Sequence, residues 1–407
     1  MTERVIIVGA GHAAAQLAPS LRQEGWAGDI LMIGEEGCSP YQRPPLSKDY
    51  LSGDRPAETL PIRPSGVYQQ HGIEFLAGRV ESVDRGVRQV RLAGGELLDY
   101  QKLALCTGAR VRQLAVPGAD LPGVFYLRTL EDVDAIRRAL EPSSRVVIVG
   151  GGYIGLEAAA ALRKLNIQVS VVEVQPRLLA RVTAPEVSGF YRRVHGEAGV
   201  DVFTDWSVAA IEGDDSVAAV VGEDGRRLPA DMVIVGIGVI PNVELAEECG
   251  LKVDDGIWVD EFAATADPDI FAAGDCTNHP NCQLGRRVRL ESVPNAMEQA
   301  KSAAAGICGR PHCYDGYPWF WSDQYDLKLQ IAGLSDGYDR VVLRGDPETG
   351  RSFVAWYLRG DQLLAADCIN RPKEFMVAKQ LLARGVSVDP GALSDESVDP
   401  KEWLSVK

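Results

Sequence analysis

A chain of 407 residues is long enough for two or three domains, each with its own core. Apolar residues make up 46% and charged residues 24%, an ordinary globular balance, and no apolar run approaches the roughly eighteen residues of a membrane span. The net charge of −15 argues against a nucleic-acid partner, which needs a basic face.

The first strand begins by residue 4, which leaves no room for a signal peptide, so the expected compartment is the cytoplasm. Eight cysteines are scattered without a CxxC pair. Cys276 with Cys282, or Cys308 with Cys313, are conceivable metal ligands, but small thiols in a reducing compartment are the plainer reading. The histidines have no metal-like spacing, and no metal is expected.

In chain order, Arg4–Val8 reads as a buried strand that runs into Gly9-x-Gly11-x-x-Ala14. A helix follows, then a strand at Ile30–Ile33 that leads to Gly34, Glu35 and Glu36. Pro19 falls where the helix should still be running, a disruption of roughly 3 kcal/mol for which the sequence gives no reason. In CSPYQRPPLSK (38–48) the prolines forbid a central strand and predict a stiff loop with a short helix. The loop is either a surface connection or, from its place just after the first acid, a segment that brings Arg43 and Lys48 to a flavin ring, where a cation stabilises the reduced, anionic form. Residues 73–107 read as short strands, the last ending in Thr107-Gly108, and a helix is expected over Leu130–Leu140.

Residues 145–173 repeat the opening device more completely. An apolar strand runs into Gly150-x-Gly152-x-x-Gly155, then a helix with apolar Ile154, Ala158, Leu162 and Leu165, then a strand that ends in Glu173. Gly150 makes the tight turn, Gly152 lets the backbone approach a pyrophosphate, and Gly155 lets the helix pack on the strand. The helix N-terminus stabilises phosphate, and the acid accepts from a ribose. Two such units imply two dinucleotides held near each other, and hydride passing between a nicotinamide and a flavin is the chemistry that suits them.

Glu212–Asp215 is a charged turn, and Met232–Val235 leads to the glycine turn around Gly238. A strand ends in Gly274-Asp275, and a helix starting near Pro294 can aim its N-terminus at a flavin. From about residue 316 a run of β-like segments begins with Trp319-Phe320-Trp321. It precedes a helix that Asn370 is expected to cap and Gly385 to end. The last twenty or so residues read as a polar, loosely packed tail.

These motifs, above all YQRPPLSK, FYLRTLED, VVIVGGGYIGLE, GIGVIPN and ESVPNAMEQA, resemble the glutathione-reductase-type flavoproteins. Within them they are most similar to the bacterial ferredoxin reductases, over nearly the whole chain. The resemblance implies an α/β chain with two Rossmann-like dinucleotide-binding domains, for FAD and NAD, and a C-terminal α+β domain. The expected boundaries are 1–108 and 241–315 for FAD, 109–240 for NAD, and 316–407 for the last domain. It also implies tightly bound, non-covalent FAD, NADH as substrate, and a 2Fe-2S ferredoxin as partner. That ferredoxin would feed a haem-thiolate monooxygenase or a ring-hydroxylating dioxygenase. No membrane partner is expected, and the expected state is a monomer or weak dimer.

By the same resemblance, FAD would meet Gly9, Gly11, Ala13, Ala14, Glu35, Arg43, Pro44, Lys48, Val80, Arg128, Asp275 and Val293. NADH would meet Gly150, Gly152, Ile154, Gly155, Glu173, Arg181, Gly238 and Glu291. Lys48, Glu157 and Trp321 are the candidate catalytic residues. Glu157, two residues past the last glycine, either fixes Lys48 near the flavin N5 or is simply a helix-N-terminal acid favoured by the dipole. Trp321 either lines the nicotinamide site or packs in a core. Glu173 would repel a 2′-phosphate and favour NADH, with Arg177 and Arg181 as tempering cations. Arg286, Arg287, Arg289, Lys301 and Arg310 either steer an acidic ferredoxin or form a solvated loop.

Three other readings compete. A rubredoxin reductase shares these motifs. A disulfide reductase or NADH oxidase would need a redox cysteine near the position of Lys48, and Cys38 stands well before it. An NADH-sensing or DNA-binding flavoprotein is disfavoured by the acidic balance.

Overall fold

The computed structural model describes residues 3–405. The chain divides into two compact units. The first contains residues up to Gln42, Glu58–Arg110 and Ile240–Pro318; the second contains Arg43–Ala57, Val111–Val239 and Trp319 onward. The loop carrying Lys48 therefore packs with the second nucleotide motif, as does the C-terminal module. No helix among the described residues is long and apolar enough to cross a membrane.

In the first unit a five-stranded parallel sheet has the order Ile270–Ala272, Lys102–Leu105, Arg4–Val8, Asp29–Gly34, Ile73–Ala77. Side chains alternate across its central strand. Val5 and Ile7 join a core with the helices His12–Gln23 and Val293–Ile307, while Ile6 and Val8 join a second core under the antiparallel strands Val80–Asp84 and Gln89–Leu92. The helix His12–Gln23 continues through Pro19. The carbonyl that Pro19 cannot engage, that of Ala15, instead accepts from Arg63 Nε at 3.5 Å, which the sequence did not reveal.

The second unit has its own five-stranded parallel sheet, in the order Val200–Phe203, Gln168–Val172, Arg145–Val149, Met232–Val235, Val124–Tyr126. Val147 and Val149 pack beneath an antiparallel sheet formed by Val208–Glu212, Ala219–Gly222 and Arg227–Pro229. From Trp319 a five-stranded antiparallel sheet forms, backed by the helix Pro372–Arg384.

Two expectations for this module need correction. The residue preceding the helix Pro372–Arg384 is Arg371, with no side-chain cap; Asn370 has φ +54° and spends its amide on Lys328 N–H and the Arg351 carbonyl. Gly385 does end the helix in the left-handed conformation. The tail is packed, not loose. Buried Arg344 donates to the carbonyls of Asp395 and Val398, and Trp403 stacks edge-on against Trp356 with ring centroids 5.4 Å apart. Its polar composition hid one tryptophan anchor and a set of backbone acceptors.

Candidate active site

Each parallel sheet carries a glycine turn in which one glycine has a clear Cβ position. In the first, Gly9 has φ +112°, and a Cβ there would lie 2.2 Å from the Cys106 carbonyl oxygen. Gly11 is the opposite case: a Cβ would meet no atom within 4 Å. The helix that starts after it has no side-chain cap, and a helix N-terminus favours an anion. Ala13 and Ala14 are buried against the sheet behind it. Glu35 follows its strand directly and is exposed, and buried Val80 opens the next small sheet. Gly274, at φ +95°, donates its N–H to Gln299 Oε1 at 2.8 Å, and the Thr277 hydroxyl donates to the same oxygen at 2.8 Å. That anchors the turn carrying Asp275. Val293 opens a helix capped by the Ser292 hydroxyl.

The second unit repeats the construction. Gly150 has φ +115°, with its Cβ position 2.4 Å from the Gly236 carbonyl oxygen, and Gly155 would strike the Gly150 carbonyl oxygen at 2.1 Å. Gly152 again has nothing within 4 Å and precedes an uncapped helix. Ile154 in its first turn is 39% exposed. Glu173 accepts the Gly151 N–H at 2.6 Å and the Gln175 N–H at 2.8 Å, so it closes the glycine loop as well as ending the strand. Gly151 was missed by the motif, yet a Cβ there would lie 2.6 Å from Leu178 Cδ2. Gly238 has φ +98°, and Arg181 Nη2 lies 3.7 Å from its Cβ position. Clear glycines under uncapped helices fit one dinucleotide pyrophosphate in each cradle.

The loop holding Lys48 is built on prolines. Pro44 and Pro45 start a 3-10 turn, Pro44–Ser47, and Arg43 Nη1 donates to the Arg128 carbonyl at 2.8 Å. Lys48 Nζ then lies 2.7 Å from Glu157 Oε2 and 3.2 Å from the Pro44 carbonyl. The two side chains are 14% and 4% exposed. The Ser47 hydroxyl donates to Glu157 Oε2 at 2.5 Å and the Ser322 hydroxyl to Oε1 at 2.6 Å. Glu157 is thus a buried acceptor for three donors, more than a dipole-favoured acid requires. Ser47 and Ser322 were missed, because nothing in their spacing links them to Glu157. Trp321 is half-buried beside Trp319 and Phe320, at centroid distances of 5.7 and 6.4 Å.

Arg177 is committed to the loop that follows it, donating to the Thr183 and Ala180 carbonyls and the Ser188 hydroxyl. The basic stretch is largely neutralised where it stands. Arg289 pairs with Asp255 and Glu291, Lys301 with Glu298, and Arg310 with Glu24. Arg287 lies over the Trp258 ring at 3.5 Å. Among the described residues, no cluster of three or more His, Cys, Asp or Glu is placed to hold a metal ion.

The duplicated cradle and the buried Lys48–Glu157 pair are features of a two-nucleotide redox flavoprotein, and residues 3–300 match the pyridine nucleotide-disulphide oxidoreductase family. A reductase C-terminal family matches residues 319–404. The chain is 46% identical to putidaredoxin reductase from Pseudomonas putida, over 99% of this chain and 97% of that protein. It is 43% identical to the ferredoxin–NAD(+) reductase component of the anthranilate 1,2-dioxygenase system of Burkholderia cepacia, over 98% of both. Its fold matches the crystal structure of the covalent putidaredoxin reductase–putidaredoxin complex at a TM-score of 0.96, with 46% identity, over 99% of this chain and 98% of that one. The chain belongs to the pyridine nucleotide-disulphide oxidoreductases. Within them it is a member of the ferredoxin reductases of oxygenase systems.

Proposed function

We propose that this protein is an NADH-dependent reductase that passes electrons through FAD to a small 2Fe-2S ferredoxin, which supplies a haem-thiolate monooxygenase or a ring-hydroxylating dioxygenase. The observation that carries the reading is the repeated cradle, with a clear glycine under an uncapped helix in each unit. Gly9, Gly11 and Asp275 would hold FAD; Gly150, Gly152 and Glu173 would hold NADH. Bound FAD supplies the exchange between one hydride from NADH and two single electrons, with one proton left over. The chain's own part is to orient and to set charge. Glu157 and the Pro44 carbonyl fix the Lys48 ammonium in one place, from which it can favour negative charge on a reduced ring. We assign FAD to the first sheet and NADH to the second. We place the enzyme in the cytoplasm, where NADH is supplied.

Two of the buried thiols are unsuited to a cysteine-dependent disulfide reductase. Burial pushes the Cys106 and Cys276 thiols up, the reverse of a reactive thiolate. The test is NADH-driven cytochrome c reduction across a panel of 2Fe-2S ferredoxins and rubredoxins. A large rate increase with one ferredoxin is expected. An equal rate without any carrier would overturn the reading, and a response to rubredoxin alone would move it to that relative.

A further inference from the structure

Glu157 is the end of a line of buried hydrogen bonds that runs away from Lys48. Ser322 Oγ donates to Glu157 Oε1 at 2.6 Å, and Gln324 Nε2 donates to Ser322 Oγ at 3.2 Å. Gln324 Oε1 lies 2.9 Å from His195 Nε2, and the Tyr325 hydroxyl lies 2.9 Å from His195 Nδ1. Ser322, Gln324 and His195 are at most 1% exposed, whereas Tyr325 reaches the surface. Ser322 and Gln324 are two apart on the strand Trp319–Gln324, so they share one face and Trp321 takes the other.

The charge on Glu157 dictates every direction in this line. A carboxylate paired with an ammonium only accepts, so Ser322 must donate to it. The Ser322 oxygen then accepts from the Gln324 amide nitrogen, which turns the Gln324 oxygen toward His195. The proton of His195 must therefore sit on Nε2, leaving Nδ1 to accept from Tyr325. Burial holds His195 neutral by pushing its pKa down to about 4, so the ring has one proton to place. The amide in the middle makes the line a poor proton conductor. Its use is orientation.

We propose that Ser322, Gln324 and His195 are positioning residues that hold Glu157, and through it the Lys48 ammonium, and that the charge of Glu157 sets the tautomer of His195. The functional half rests on the reading of Lys48 as the cation beside the flavin; the tautomer half does not.

The test uses the full-length, FAD-loaded protein with 15N-labelled histidine, the His195 signals being assigned with His195→Gln. The wild type is expected to show a protonated Nε2 and an unprotonated Nδ1. Glu157→Gln gives Ser322 a donor to face, so the line can reverse and the His195 signals should move toward the Nδ1–H form. Gln324→Met cuts the line and should give averaged tautomers. In anaerobic stopped-flow reduction by NADH, Ser322→Ala should slow the flavin reduction step about tenfold with NADH affinity unchanged, and Ser322→Thr should restore it. An Nδ1–H tautomer in the wild type, or His195 signals unmoved in both Glu157→Gln and Gln324→Met, would overturn the proposal. If the tautomers respond as expected but Lys48→Met is reduced as fast as the wild type, the relay stands and the flavin reading of Lys48 falls.

Discussion

Glu173 Oε2 accepts the Gly151 amide at 2.6 Å, so the acid that would bind a ribose also braces the loop that would bind the phosphates. Its other oxygen accepts the Gln175 amide. Glu173→Gln keeps the size but leaves only one carbonyl oxygen for two N–H groups. We expect kcat/KM for NADH to fall by about ten- to a hundredfold, the loss of one or two charge-assisted hydrogen bonds. Preference over NADPH should narrow as well, because a carboxylate about 4 Å from a 2′-phosphate opposes it by up to about 4 kcal/mol at an effective dielectric near 20. Steady-state kinetics with both coenzymes checks this, and an unchanged NADH to NADPH ratio would refute it.

Gly152 and Gly155 separate binding from folding. A Cβ at Gly152 meets no protein atom within 4 Å, while one at Gly155 would be 2.1 Å from the Gly150 carbonyl oxygen. Gly152→Ala should therefore melt close to the wild-type temperature and bind NADH poorly. Gly155→Ala should lower the melting temperature by several degrees, because the helix must move off its strand. Thermal unfolding beside an NADH titration distinguishes the two.

Lys48 and Glu157 should be far more costly to separate than to remove together. Lys48→Met leaves the carboxylate buried with only hydroxyl donors from Ser47 and Ser322. The expected loss is about 3–5 kcal/mol, and the Lys48→Met, Glu157→Gln double variant should regain most of it. Additive losses in denaturant unfolding would show that the pair is not coupled.

The nucleotide units were legible because the first strand of each is one apolar run ending in glycine. In Arg145–Val149 and Arg4–Val8 the pattern lies within a few adjacent residues. The polar setting of Glu157 was not legible. Ser47, Ser322, Gln324 and His195 come from three distant segments, and each is an ordinary residue in its own neighbourhood. The tail failed for a related reason: Arg344 binds it through carbonyls, which have no sequence signature. Glu291, expected at NADH, lies in the first unit and pairs with Arg289 at 2.5 Å.

Stability should carry opposing pH trends. Asp367 is fully buried against the Tyr357 hydroxyl, and burial pushes its pKa up to about 7. Between about pH 4 and 7 the unfolded chain has lost that proton and the folded one keeps it, so stability falls as pH rises, by a few kcal/mol in order of magnitude. His195 and His279 act the other way. Burial holds both near 4, so their contribution is lost as pH falls from about 6.5 toward 4. Asp367→Asn should thus gain on the wild type steadily from pH 4 to 7 in melting temperature. Parallel curves would show that burial does not raise the Asp367 pKa above its unfolded value.

The two nucleotide cradles serve the reduction of a resident flavin by a soluble coenzyme. The most direct measurement is an anaerobic titration of the purified, FAD-reconstituted protein with NADH, followed by the flavin absorbance. We expect a yellow protein that bleaches fully with about one equivalent of NADH per flavin. A protein that takes up no flavin, or one whose flavin stays oxidised under excess NADH, would contradict it.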